Sequence, residues 1–422
     1  MKGDMAVMRR AAILLVLMAG SGVVLLARQA PTDVIQWRGA NRDGAVAGFK
    51  APSAWPEQLV QRWKVDVGLG YATPLVVGNR VYIFSRQGED EVMSALDAAS
   101  GKVLWRTGYP APFEMNSAAA PHGKGPKSTP VYSSGRLFSI GMTGIVSAFD
   151  AETGRRVWQK PGSLPLPMYT SHAFSPIVDR GLVIFHTGGH DKGALTAFDV
   201  NTGGVRWSWS GDGPGYGSPI IADFGGVRQI VTLTQGKAVG IDVGTGALLW
   251  ERPYVSANFT SSITPVRYAD TIIIWGATGN SPMSAWRVAR NNDQWMVETV
   301  WDNAELPGRL SNAVLDGDVM FGLTSRNMGQ YYAVDAKSGK ALWTSEGRQA
   351  SNVAMARAGD ILFSLENDGE LVILRANRAQ FEPLKRYRVA EAETFSTWAQ
   401  PAISGSRIFI KDVSTLALWT LN

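Results

Sequence analysis

No cysteine occurs anywhere in the 422 residues. That excludes disulfides, thiolate metal sites, cysteine nucleophiles and lipid attachment through a cysteine, so the fold must be held by its core. Histidine is almost as scarce: His122, His172, His186 and His190 are the whole supply, little material for imidazole metal centres or general-base chemistry. Helical 3.6-residue periodicity is missing beyond the first thirty residues, which removes helix-based folds from consideration. Excess charge is lacking too. Of the formal net charge of +5, Lys2, Arg9, Arg10 and Arg28 against Asp4 place +3 in the first thirty residues. The remaining +2 is too small for a nucleic-acid groove.

What is present begins with an export pattern. Arg9 and Arg10 precede the apolar run Ala11 to Ala27, and polar residues follow, the layout of a secretory signal. The cleavage site is poor, because a cut after Ala30 leaves Arg28 at the third position back and Pro31 next. Seventeen apolar residues also approach a bilayer span. Residues 1–30 therefore read as a signal peptide or an inner-membrane anchor, 31–58 as an extended lead-in, and 59–422 as the folded unit.

That unit repeats a phrase. ALDAASGKVLW (from Ala95), AFDAETGRRVW (from Ala148), AFDVNTGGVRW (from Ala197) and AVDAKSGKALW (from Ala333) share A-x-D-x-x-[TS]-G-x-x-x-W, and GIDVGTGALLW, from Gly240, replaces only the leading alanine. Trp63, Trp105, Trp158, Trp207, Trp250, Trp301 and Trp343 fall 42, 53, 49, 43, 51 and 42 residues apart, which is a repeat period. Upstream of the phrases lie apolar alternations broken by a glycine turn, as in TPLVVGNRVYIFS, STPVYSSGRLFSIG and FSPIVDRGLVIFH. Each is two short strands. A third strand ends in A-x-D and a fourth carries the tryptophan, so one repeat is four strands.

Each residue type in the phrase has a job. Asp97, Asp150, Asp199, Asp242 and Asp335 fold a carboxylate onto the N–H groups of the turn they open, and a Ser or Thr hydroxyl joins them. Gly101, Gly154, Gly203, Gly246 and Gly339 accept the positive φ that the turn requires. Trp105, Trp158, Trp207, Trp250 and Trp343 bury an indole whose N–H needs an acceptor, which the backbone of a neighbouring repeat supplies. The tryptophan is a wedge between repeats.

Radial repetition of four-stranded units of about 40 to 50 residues is a β-propeller. Five complete phrases mark five blades. Degenerate blades run from Thr264 to Trp301 and from Ala354 through KRYRV, and the unit from Ala399 supplies three strands. LVQRWKV, Leu59 to Val65, resembles a tryptophan-bearing fourth strand with no blade before it. Pairing the two gives an all-β ring of eight antiparallel blades closed by its N-terminal strand, without exposed sheet edges at the seam.

The phrase, on this plan, resembles the tryptophan-docking motif of the quinoprotein-like, PQQ-repeat propellers. That superfamily includes pyrroloquinoline-quinone alcohol dehydrogenases and the outer-membrane assembly lipoprotein BamB. The resemblance covers roughly residues 37 to 421, and the opening QWRGANRDG from Gln36 looks like the start of many exported proteins of this class. It implies a fold rather than a function, because the motif is architectural. The dehydrogenases carry adjacent cysteines beside the quinone and long inserted loops, and this chain has neither. BamB-like members carry a lipid-bearing cysteine, also missing here. No catalytic Asp, or calcium-binding Glu and Asn, can be carried over by motif.

Local motifs add little chemistry. His186 and His190 in HTGGHD would lie roughly 13 Å apart in an extended strand, too far to share an ion, and read as a polar hairpin tip. PHGKGPKST, Pro121 to Thr129, fails the spacing of a phosphate loop and leads into a strand instead of a helix. It reads as a lead-in loop that sets Lys127 at the mouth of an inner strand. Ring geometry collects more. The residues just before the innermost strands surround one end of the channel: aromatic Tyr71, Tyr216 and Trp398; Lys127, His172 and Arg309; and the amides Asn258, Asn312, Asn352 and Gln400. Convergence of polar and aromatic groups at one mouth is what a ligand or peptide site requires.

These readings lead to an exported, monomeric, non-catalytic propeller, with no metal, cofactor or nucleic acid, that presents a scaffold to envelope or outer-membrane proteins or to extended peptides. The alternative is a quinone-dependent alcohol dehydrogenase using pyrroloquinoline quinone with calcium.

Overall fold

Apolar alternation on either side of each glycine turn folds into short antiparallel hairpins, and each turn-and-tryptophan phrase adds two more strands to make a blade. The structure is a computed structural model that describes residues 32–162, 171–254, 262–276, 282–308, 310–391 and 397–422. The segment read as a signal peptide or anchor lies outside the described residues. Blades 1 to 7 occupy 75–110, 131–160, 177–209, 220–253, 266–303, 314–344 and 353–388, each four strands in sequence order from the axis outward. Blade 8 is made of Ala402–Ser404, Arg407–Lys411 and Thr415–Thr420, with Val60–Asp66 as its outer strand. Val60 pairs with Thr420 and Asp66 with Thr415, antiparallel. The ring is therefore closed by the two ends of the folded unit.

In the phrase turns, Asp150 Oδ1 accepts from the Thr153 N–H (2.9 Å) and hydroxyl (2.7 Å), and Gly154, at φ +75°, donates its N–H to the Asp150 carbonyl (2.9 Å). The same geometry recurs at Asp97, Asp199, Asp242 and Asp335. Each glycine serves the preceding blade: a Cβ on Gly154 would lie 2.5 Å from the Trp105 indole, and one on Gly203 2.7 Å from that of Trp158. The indole N–H groups cross the seams to backbone carbonyls, Trp63 to Ala98, Trp105 to Ala151, Trp158 to Val200, Trp207 to Val243, Trp301 to Ala336 and Trp343 to Asn377, at 2.9 to 3.2 Å.

Trp250 departs from this pattern and corrects the expectation of a neighbouring backbone acceptor. Its N–H donates to Gln229 Oε1 in its own blade (2.6 Å). The reason is Gly240, where a Cβ would lie 2.1 Å from Trp250 Nε1. Glycine in place of alanine lets the indole lie over its own sheet, next to a blade that lacks the phrase.

A second belt runs around the axis. The Ser or Thr before each of several inner-strand prolines accepts from the blade before it. Gln400 N–H donates to Thr73 Oγ1 (3.2 Å), Thr73 N–H to Thr129 Oγ1 (3.0 Å), Thr129 N–H to Ser175 Oγ (3.0 Å), and Ser175 N–H to Ser218 Oγ (3.0 Å). Buried N–H groups at the strand starts are thereby satisfied across seams.

The lead-in crosses the end of the ring opposite the strand starts. Val34 bridges Val76, Val46 N–H donates to the Arg357 carbonyl (2.7 Å), and Phe49 meets Phe363 edge-on at 4.9 Å. Between these contacts QWRGANRD turns into the axis. Arg42 is fully buried and donates to Gln36 Oε1 (3.0 Å) and to the carbonyls of Ser175 (2.9 Å), Pro219 (3.1 Å) and Pro176. Arg38 donates to the Ala313 carbonyl (2.5 Å), and the Trp37 indole to Thr264 Oγ1 (2.9 Å). Arg38 and Arg42 sit at φ +58° and +59°, a region costly for non-glycine residues that persists only where surrounding contacts impose it. This segment is a plug that ties together inner strands of blades 3 to 6.

Candidate functional site

Because the inner strands start at one end and the plug fills the other, the axial channel becomes a blind well with a free volume of about 220 Å³. Trp37 lies in its lining from the plug side. The remaining lining combines aromatic Tyr71, Tyr216 and Trp398 with hydroxyl, amide and small apolar groups from the strand starts. Of the residues predicted for the mouth, Tyr71, Lys127, Tyr216, Asn312, Asn352, Trp398 and Gln400 come together here. Asn258 and Arg309 lie outside the described residues. Trp37 was missed, although QWRGANRDG had been singled out, because nothing local in that motif says that it enters the axis.

Lys127 Nζ donates to the carbonyls of Gly123 (2.9 Å) and Gly125 (3.3 Å) and lies 5.8 Å from the Tyr71 ring centroid. Its loop is held by the Tyr71 N–H, which donates to the Pro126 carbonyl (2.8 Å), and by Gly125, where a Cβ would lie 2.4 Å from the Leu69 carbonyl. Burial pulls the ammonium down to about 8. His122, edge-on to Trp398 at 5.7 Å, is lowered by burial and then by Lys127. No described residue lining the well is a carboxylate.

His172 corrects the mouth prediction. It is 1% exposed and does not line the well, while the next residue, Ala173, does. Ser171 turns the chain at φ +69° with its hydroxyl on the Met142 carbonyl, which directs the imidazole outward against Gly144. Neither ring nitrogen has a partner among the described residues. Burial, then His186 and His190, pulls His172 down to about 3, and burial pulls His186 down to about 4. The histidines of HTGGHD are held by the lead-in to the next blade: His186 Nε2 meets the Asp212 carbonyl (3.1 Å), and His190 meets the Pro214 carbonyl (3.0 Å) and the Tyr216 hydroxyl (3.1 Å). Among the described residues no group of three His, Asp or Glu side chains is placed to hold a metal ion.

An acid limb in stability follows. His172 stays neutral in the fold, so below about pH 6.5 the unfolded chain binds a proton that the fold refuses, and stability drops toward pH 4. At pH 5 the difference is roughly 2 kcal/mol for one imidazole. His172→Phe is expected to shrink the loss measured by urea melts between pH 7 and pH 5 by about that amount. A variant that loses as much as the parent would show that the imidazole accepts its proton inside the fold.

A family model described as outer membrane protein assembly factor BamB matches residues 57–121, 89–345 and 298–417. The chain is similar to the outer membrane protein assembly factor BamB of Burkholderia pseudomallei, with 26% identity over 350 residues that cover 73% of this chain and 86% of that protein. It is 31% identical over 163 residues to the dehydrogenase subunit of the quinone alcohol dehydrogenase of Acetobacter aceti, covering 36% of this chain but 21% of that protein. Among solved structures, the quinohemoprotein alcohol dehydrogenase of Comamonas testosteroni matches with a TM-score of 0.65 at 15% identity, over 94% of this chain and 81% of that one, a likeness of fold alone. With eight four-stranded blades, seven of them carrying a tryptophan in the outer strand, and a family match over most of its length, the chain belongs to the PQQ-repeat family described as outer membrane protein assembly factor BamB.

Proposed function

We propose that this protein is a non-catalytic docking propeller of the bacterial cell envelope, which holds other envelope proteins or extended peptides against its channel-mouth face. The observation that carries this reading is the blind well, whose described lining offers hydroxyls, amides, aromatic rings and one ammonium but no carboxylate. The family match and the 86% coverage of a BamB relative support it, as does the export pattern of residues 1–30.

The dehydrogenase reading draws on the shared fold and on the fragmentary identity to quinone enzymes. It would need a quinone held with calcium. Calcium takes six to eight oxygen ligands, carboxylates prominent among them, and the described well residues do not fit that donor set. Titration of the purified protein with pyrroloquinoline quinone and calcium is expected to give no saturable change in tryptophan fluorescence and no dye-linked alcohol oxidation; turnover would overturn the docking reading. A photo-crosslinking residue in place of Met328, 67% exposed on a loop between the second and third strands of blade 6, is expected to capture a defined envelope protein in cells. Capture at the same level by a residue placed on the plug end would remove the preference for this face.

A further inference from the structure

We infer that the well is a receptor for the free C-terminal end of a partner polypeptide, its carboxylate on Lys127 and its last side chain among the aromatic walls. This deepens the docking reading and rests on it. Three observations select a chain end. First, Trp37, Arg38 and Arg42 close the opposite end of the axis, so a polypeptide enters the well but does not pass through it. Second, an ammonium has three donors, and Lys127 uses two on Gly123 and Gly125, which leaves one N–H without an acceptor among the described residues. With no described carboxylate in the lining, a terminal carboxylate is attracted and a terminal amine is repelled. Third, two polar atoms of the lining are buried without partners among the described residues, Asn352 Oδ1 and Ser262 Oγ. Such atoms are costly unless a ligand satisfies them. Asn352 Oδ1 accepts the N–H of the terminal residue, and Ser262 takes up a neighbouring peptide group. Trp37, Tyr71, Tyr216 and Trp398, with Leu310 and Val353, give an apolar surface for one side chain. Capture of a terminal carboxylate is an established mode of peptide recognition.

The test uses the full protein and hexapeptides labelled with fluorescein at the N-terminus and ending in phenylalanine, one as the free acid and one as the C-terminal amide, read by fluorescence anisotropy. The acid is expected to bind saturably and at least ten-fold more tightly than the amide. Lys127→Met is expected to bring the acid down to the level of the amide without changing the affinity of the amide, and Asn352→Leu to weaken both. Equal binding of acid and amide by the unaltered protein, or no binding of either, overturns the inference without recourse to any variant. N-acetylphenylalanine competing as strongly as the unlabelled peptide overturns it as well, since the site would then take a small carboxylate rather than a chain end. Failure here with crosslinks retained at Met328 removes only the well as receptor, whereas binding of the quinone removes the docking reading itself.

Discussion

A chain that begins at Val67 is expected to lose its cooperative fold and to aggregate. Two separate losses produce this. Removal of Val60–Asp66 strips the outer strand from blade 8 and exposes the edge of Thr415–Thr420, whose apolar Leu416 and Leu418 are buried in the intact ring. An unpaired edge of that kind templates association with other chains. The seam to blade 1 goes with it, because Trp63 donates to the Ala98 carbonyl and packs on Gly101. The plug is lost as well, leaving the carbonyls of Ser175, Pro219 and Ala313 without the guanidinium groups of Arg42 and Arg38. Size-exclusion chromatography with a circular-dichroism melt decides the matter: a soluble monomer with the parent Tm would show that neither closure nor plug holds the ring.

Trp158→Ala is expected to cost about 3 to 5 kcal/mol. The indole is 9% exposed, stacks on Phe198 at 6.1 Å, meets Phe138 at 5.9 Å, and gives its N–H to Val200 of blade 3. Truncation opens a cavity at the seam and leaves that carbonyl without its donor, while Gly203 loses the ring that lies against it. Urea melts read the loss directly, and a value below about 1 kcal/mol would refute the joint. A double-mutant cycle gives a second check. Gly203→Ala places a methyl group 2.7 Å from the indole at φ +66°, so it is destabilising by overpacking and by backbone strain. Combined with Trp158→Ala the two losses are expected to sum to more than the double variant shows, because the clash vanishes with the ring.

The two experiments also separate what was legible in sequence from what was not. The aspartate, hydroxyl and glycine of each phrase act on neighbours within five residues, so their turn is readable from spacing. Tryptophan periodicity reports the seams because each indole reaches a turn about one repeat further along the chain. The exception at Trp250 follows from Gly240, the only phrase position where the leading alanine is missing, but the consequence shows only in the packed blade. The channel mouth was read from strand starts, which brought Tyr71, Lys127, Tyr216, Asn312, Asn352, Trp398 and Gln400 to one place. His172 escaped that reading because a lead-in residue has no period to obey. Its direction is set by the turn at Ser171 and by Gly144 on the neighbouring blade, contacts that local pattern does not encode.

By itself, then, the amino-acid sequence determined the strand count per repeat, the eight blades, the closure and the positions of the seam tryptophans, since these depend on short-range turn geometry and on the repeat period. Only the tertiary structure decided that the channel is a blind well. The plug exists because Arg38 and Arg42 find carbonyls at strand starts more than a hundred residues away, and such acceptors converge only once the ring has closed. The same closure turns isolated Ser-Pro and Thr-Pro pairs into a hydrogen-bonded belt and leaves Lys127, Asn352 and Ser262 facing one small space.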